Sequence, residues 1–132
     1  MSMSEVREGL RYSKDHEWVK VEDGKAKVGI SDHAQHQLTD LAFIQLPTLG
    51  QKVKAGEVLG IVESVKNTAD VYSPVSGEVV EVNTPLEDDP QVINKSPYDQ
   101  GWIAVIRMED PNEAMSLMDA ATYRKFIEQA KK

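Results

Sequence analysis

Apolar residues recur at alternating and near-alternating positions through the first quarter of the chain. Tyr12, Trp18, Val19 and Val21 punctuate a charged stretch, Asp23-Gly24 supplies a two-residue turn signal, and Lys25-Ala-Lys-Val-Gly-Ile30 resumes the alternation. This pattern predicts an opening β-hairpin from Arg11 to Ile30. Ser31 is suited to cap a short helix in which Ala34, Leu38 and Leu41 recur at spacings of four and three, one stripe that should pack on the sheet. Phe43 to Leu46 reads as a strand ended by Pro47. Gly50 and Gly56 then bracket one short extended piece.

Two strand-like runs follow. Val58 to Val62 is apolar and β-branched, and Gly77 to Val82 alternates glutamate with valine, so the segment between them should turn the chain back and present Lys66. Gly56-Glu-Val58 and Gly77-Glu-Val79 repeat a tripeptide on either side of that lysine, a hint of two similar halves. From Thr84 to Gly101 the prolines, acids and asparagines predict an irregular connection with one helical turn near Pro90 to Ile93, and a strand from Trp102 to Met108 follows. Asp110-Pro-Asn-Glu113 has the composition of a capped helix start, with Leu117 and Met118 as its apolar residues. Asp119 restarts a helix with the stripe Tyr123, Phe126, Ile127 and Ala130, and Lys131-Lys132 suits its C-terminal dipole end.

With 132 residues, the chain is expected to form one domain over 1–132, with a core of about 12–108 and a helical segment of about 110–130. A hydrophobic fraction of 40% beside 28% charged residues suits a soluble globular protein, and no apolar run nears the roughly 20 residues that span a membrane. The opening residues carry acids and no apolar signal segment, which predicts a cytoplasmic protein. A net charge of -7 speaks against binding nucleic acid or anionic lipid. Cysteine is absent, so structural disulfides, thiolate metal sites and a cysteine nucleophile are excluded, and any thiol chemistry must come from an attached group.

A turn lysine is an ammonium in water and no catalyst by itself. Carboxylates at Glu63 and Asp70 suit that ammonium better than a Schiff-base or general-base amine, which leaves acylation by a dedicated ligase as the chemical fate of Lys66. The chain offers no convincing acid-base pair, nucleophile triad or phosphate-cradling glycine loop, so a stand-alone enzyme is the least expected reading.

The run Glu63-Ser-Val-Lys66, then Asp70-Val-Tyr-Ser-Pro-Val-Ser-Gly-Glu-Val-Val-Glu-Val-Asn83, resembles the lipoyl-lysine hairpin of glycine cleavage system H proteins. His16-Glu-Trp18, Gly29-Ile-Ser-Asp-His-Ala34, Leu46-Pro47, Val92-Ile-Asn94, Pro97-Tyr98 and Gly101-Trp102 match that family in order, from about Tyr12 to Tyr123. Biotin carriers usually flank the lysine with methionines, and lipoyl domains of 2-oxoacid dehydrogenases commonly place aspartate before it. Here Val65 and Asn67 are the neighbours.

The resemblance implies a mainly β fold, a flattened β-barrel or sandwich of the lipoyl and biotinyl carrier type, with a short helix in the first half and helices at the C-terminus. It implies lipoate in amide linkage to Lys66, with Glu63, Ser64, Val65, Asn67 and Asp70 as candidates for recognition by a lipoyl transferase or ligase or by partners. The carrier would take the aminomethyl group of glycine from a pyridoxal-phosphate-dependent glycine decarboxylase to a tetrahydrofolate-dependent aminomethyltransferase, and a dihydrolipoyl dehydrogenase would reoxidise it. Two alternatives stay open at this point. One is an H-like lipoate carrier of sulfur intermediates in a heterodisulfide-reductase-like sulfur oxidation, and the other is an unmodified interaction or regulatory module.

Two departures from the family pattern bear on these alternatives. Thr39 stands where the family usually has glycine, and a β-branched residue does not tolerate φ > 0, so the turn there should be altered. Asn67-Thr68 replaces the common Ala-Ala and adds hydrogen-bonding groups where partners dock. Elsewhere the plain readings prevail: His33 and His36 lie on an exposed polar helix face rather than binding metal, Trp18 packs in the core with Trp102 similar, and Asn94-Lys-Ser96 is an incidental glycosylation triplet followed by Pro97.

Overall fold

The computed structural model describes residues 4–130. The start of the chain, read above for a signal segment, lies partly outside them, as do Lys131, Lys132 and the side chain of Ala130.

Strands β1 (Arg11–Tyr12), β2 (Glu17–Glu22) and β3 (Lys25–Ile30) open the chain, and helix α1 (Asp32–Leu38) follows. The β2-β3 register pairs Glu22 with Lys25, and the two turn residues take φ 50 at Asp23 and φ 75 at Gly24. Two positive φ values in a two-residue turn match the twist of the flanking strands, which is why Asp-Gly folds there. Ser31 caps α1 as expected, its hydroxyl accepting from the Ala34 N–H at 3.2 Å.

The helix stripe differs from the expectation. Ala34 and Leu38 pack against the core, but Leu41 belongs to strand β4 (Leu41–Gln45), because α1 stops at Leu38 and Thr39 caps it. Thr39 itself adopts φ 66 and ψ -158, and its N–H donates to the Gln35 carbonyl. The turn is therefore kept, with threonine in a conformation that favours glycine.

Next come β5 (Lys52–Val53), β6 (Val58–Ser64), β7 (Thr68–Tyr72) and β8 (Gly77–Val82). Here the structure corrects the expected hairpin: the strand that returns from Lys66 is β7, whereas Gly77–Val82 lies in another sheet. Ala69 and Val71 turn inward from a strand whose outward residues are Thr68, Asp70 and Tyr72, too weak an apolar signal to read as a strand. Nor are the repeated tripeptides equivalent. Gly56 sits in a turn at φ +91, while Gly77 pairs with Val53 and Met108, where a Cβ would collide with the Arg107 carbonyl.

A 3-10 turn (Thr84–Glu87), α2 (Val92–Lys95), β9 (Ala104–Met108), α3 (Asn112–Met115) and α4 (Ala120–Ala130) complete the chain. Asp119 caps α4 through the Thr122 N–H. Glu113 does not close a capping box; its carboxylate accepts from the Ser76 N–H and hydroxyl and ties α3 to the start of β8.

Among the described residues there are two antiparallel sheets, ordered β1-β2-β3-β9-β8-β5 and β4-β6-β7. They form the expected sandwich without closing into a barrel. Val28, Ile44, Val62, Val79 and Ile106 contribute to its main core. A second cluster, rich in aromatics, gathers Leu10, Tyr12, Trp18, Tyr98, Ala120, Tyr123 and Ile127, with Val6, Trp102, Met118 and Phe126 against it. Trp18 is fully buried there and its indole N–H donates to the Pro97 carbonyl at 2.9 Å. Truncating such a side chain to alanine costs about 3–5 kcal/mol.

Candidate functional site

Lys66 stands at the tip of the β6-β7 hairpin, beyond the cross-strand pair Glu63 and Thr68. Four of the tip's polar links run through one residue, Ser64. Its N–H donates to the Asn67 carbonyl at 2.8 Å, and its hydroxyl oxygen accepts from the N–H groups of Asn67 at 3.0 Å and Lys66 at 3.3 Å. The hydroxyl also donates to the Asn67 carbonyl at 3.3 Å. A serine hydroxyl thus replaces the backbone carbonyl that usually closes such a turn. The hydrogen-bonded frame fixes the backbone on both sides of Val65 and Lys66 and leaves both side chains in solvent, Val65 being 81% exposed. Among the described residues no ion pair engages Lys66.

The other expected recognition residues gather around this tip. Glu63 accepts the Thr68 hydroxyl at 3.3 Å, Asn67 closes the turn, and Asp70 stands exposed opposite Ile61. The arrangement has the chemistry of a presented primary amine, fixed at its root and open to an acyl donor. No group of three His, Asp or Glu side chains that could hold a metal ion is assembled among the described residues.

At the other end of β7 the structure reveals a group whose burial sequence reasoning missed. Glu17 is only 2% exposed; it accepts the Ser13 hydroxyl on one carboxyl oxygen and the Tyr72 N–H on the other at 3.1 Å. Burial pushes its carboxyl up to about 7 in spite of these donors. A cavity of about 280 Å³ opens beside it, lined by Ser13, Lys14, Asp15, Tyr72, Pro74 and Met118 among others. The only sequence signal was its place between His16 and Trp18, since a glutamate in a strand ordinarily reads as solvent-facing.

His16 is tied to α4 through its Nδ1, 2.7 Å from the Tyr123 hydroxyl, which in turn lies 2.7 Å from the Ser31 hydroxyl. Burial, and then the neighbouring His33, lower the His16 pKa. His33 is buried at 5%, its ring centroid 4.8 Å from that of His16, so the exposed face expected for both helix histidines holds for His36 alone. Trp102 is only partly buried, with the Lys27 ammonium over its ring. The Asn94 amide is engaged on both sides, accepting from the Leu41 N–H and donating to the Thr39 carbonyl and to Gln35.

Comparison with known proteins places these features in context. A family model described as glycine cleavage H-protein matches residues 10–130. The chain is 56% identical over 123 residues to a glycine cleavage system H protein of Coprothermobacter proteolyticus, covering 92% of this chain and 97% of that one. To the protein of the same name from Alcanivorax borkumensis it is 52% identical over 126 residues, covering 96% and 98%. Among solved structures, a glycine cleavage system H protein from Mycobacterium marinum is similar with a TM-score of 0.84 at 36% identity, covering 96% of this chain and 100% of that one.

Proposed function

The chain belongs to the glycine cleavage H-protein family, a family of carrier proteins, and from that membership we propose that Lys66 is the attachment point of its lipoyl group. The observation that carries this reading is the exposed Lys66 on a turn whose backbone is fastened by Ser64. Lipoate fits the residues present, because its dithiolane, when bound, supplies the sulfur chemistry that a chain without cysteine lacks.

The protein's own contribution is presentation. Ser64 and Asn67 hold the turn, the β4-β6-β7 sheet backs it, and the Glu17 carboxyl anchors the far end of β7. Once the carrier is docked on an enzyme, a cargo tethered to such a root is presented at an effective concentration on the order of millimolar. A substrate of other enzymes needs no acid or base of its own, so the chain acts as a carrier and not as a catalyst.

Its partners are then a lipoyl transferase or ligase, glycine decarboxylase, the tetrahydrofolate-dependent aminomethyltransferase and dihydrolipoyl dehydrogenase. The names of the similar proteins favour glycine cleavage over the sulfur-oxidation alternative. Residues 1–132 serve as one carrier domain, working in the cytoplasm. No helix among the described residues is long and apolar enough to cross a membrane.

Intact-mass measurement tests the reading. Protein made in lipoylating cells should gain the mass of one lipoyl group, Lys66→Arg should gain none, and the lipoylated form should accept aminomethyl from glycine decarboxylase. Equal modification of Lys66→Arg would overturn the assignment of the site. A lipoylated protein that glycine decarboxylase cannot load would overturn the pathway.

A further inference from the structure

Helix α4 is fastened at its middle to a titratable ring. The Tyr123 hydroxyl lies 2.7 Å from His16 Nδ1 and 2.7 Å from the Ser31 hydroxyl, and both Tyr123 and Ser31 are fully buried. Tyr123 also stacks on Tyr12, their ring centroids 4.3 Å apart and the rings 3° from parallel. Beyond these contacts the helix commits little: among its described residues only Ala120, Tyr123 and Ile127 are buried, with Phe126 half-buried. His16 itself is held at φ 70, its N–H donating to the Ser13 carbonyl and its carbonyl accepting from the Ser31 N–H. Its half-buried ring lies 4.8 Å from that of His33 on α1 and 5.8 Å from that of Phe126, centroid to centroid.

Each link of this relay carries one proton, so the relay has a direction. Ser31 already accepts from the Ala34 N–H, and the arrangement that uses every proton runs from the Ser31 hydroxyl to Tyr123 and from the Tyr123 hydroxyl to Nδ1. That direction needs a neutral His16 with its proton on Nε2. A second proton, on Nδ1, reverses both bonds and leaves the buried Ser31 hydroxyl hydrogen without its acceptor. It also sets a cation against the His33 ring. We propose that His16 is an acid-sensitive latch on α4: a proton taken up by its ring frees the helix, together with Val6 and Glu8, which Arg124 holds, while the two sheets stay folded. Met118 leads into α4, exchanges backbone bonds with Tyr12 and lines the cavity beside Glu17, so release widens that cavity.

The groups around His16 do not cancel the charge. His33, from α1, opposes it; Asp15, in the loop of His16 itself, favours it but stands in screening solvent. From α4 come the Tyr123 hydroxyl and the apolar Phe126, while Arg124 turns to Val6 and Glu8. Glu17, next in the chain, is mostly protonated below about 7 and supplies no counter-charge. Burial, and then His33, lower the His16 pKa from 6.5, so the latch is closed above 6.5 and opens as pH falls from there. The opening stays local because α4 packs in the aromatic cluster, which is separate from the core of the sandwich.

Hydrogen exchange on the full chain between about pH 7 and about pH 5 tests the latch, read as protection factors so that the intrinsic pH dependence drops out. Protection of the α4 amides should fall by up to tenfold per pH unit as pH drops below 6.5, and that of β6 and β9 should hold. His16→Asn keeps an acceptor near the Nδ1 position, tolerates the positive φ and does not titrate, so its α4 protection should stay level. His33→Gln removes the opposing ring and should shrink the decline severalfold, which keeps the test decisive if His16→Asn fails to fold.

Level α4 protection in the wild type would overturn the latch. An equal fall in β6 and β9 would make the event global unfolding and overturn its local character. The full wild-type decline in folded His16→Asn or His33→Gln would assign the proton to another group and overturn the part given to this pair.

Discussion

The side-chain amide of Asn94 donates to the carbonyl of Thr39 at 2.8 Å and holds that residue at φ 66 and ψ -158. A β-branched residue in this region stores on the order of 1–3 kcal/mol of strain. Replacing Thr39 with glycine removes the strain, which outweighs the opposing gain in unfolded-state entropy, so Thr39→Gly should stabilise the protein by about 1 kcal/mol. Chemical denaturation measures it; a lower midpoint for the glycine variant would contradict the strain argument.

Asn94→Ala should have the opposite sign. The substitution strips the Leu41 N–H, the Thr39 carbonyl and the Gln35 side chain of one partner each, at a cost of about 1–3 kcal/mol. The same denaturation series reports it. An effect below experimental error would mean that water takes over all three bonds.

Stability should depend on pH through Glu17. Its folded pKa, about 7, lies above the ordinary 4.5, so its contribution is complete below 4.5 and is lost as pH rises through 7. His16 works the other way: with its pKa lowered by burial, its contribution is present above the ordinary 6.5 and is lost as pH falls. Glu17→Gln should therefore flatten the decline in melting temperature as pH rises from 4.5 to about 7 and leave the opposite His16 decline as pH falls below 6.5. A variant that keeps the wild-type slope between pH 4.5 and about 7 would show that Glu17 is not the titrating group.

Ser64→Ala should slow lipoylation severalfold while changing stability by no more than about 1 kcal/mol, because the hydroxyl fastens an exposed tip and not the core. Ser64→Thr keeps the hydroxyl and should recover most of the rate. Moving the lysine to position 65 or 67 should abolish modification, which intact mass would reveal.

Legibility in the sequence followed the range of the interaction involved. Asp23-Gly24 and Ser31 act on neighbours two or three residues away, and both the β2-β3 hairpin and the α1 cap were readable from the sequence. Lys66 was readable because an extended motif surrounds it. Strand β7 was not, because Ala69 and Val71 are its only inward residues and Asp70 reads as a turn former. The burial of Glu17 depends on Ser13 and on Tyr72, 55 residues away, and His33 is buried by its place in the fold rather than by helix periodicity. Thr39 was misjudged for a related reason, since the Asn94 amide that holds its turn lies 55 positions downstream.

The aromatic cluster gives the two ends of the described chain a shared fate. Arg124 of α4 donates to the Val6 carbonyl and pairs with Glu8, the Tyr98 hydroxyl donates to the Glu5 carbonyl, and Met118 exchanges backbone bonds with Tyr12. Within residues 4–130, neither end of the described chain can fray without loosening the other. Digestion should wait on the rare concerted opening of the whole cluster, and cuts near either end should appear together.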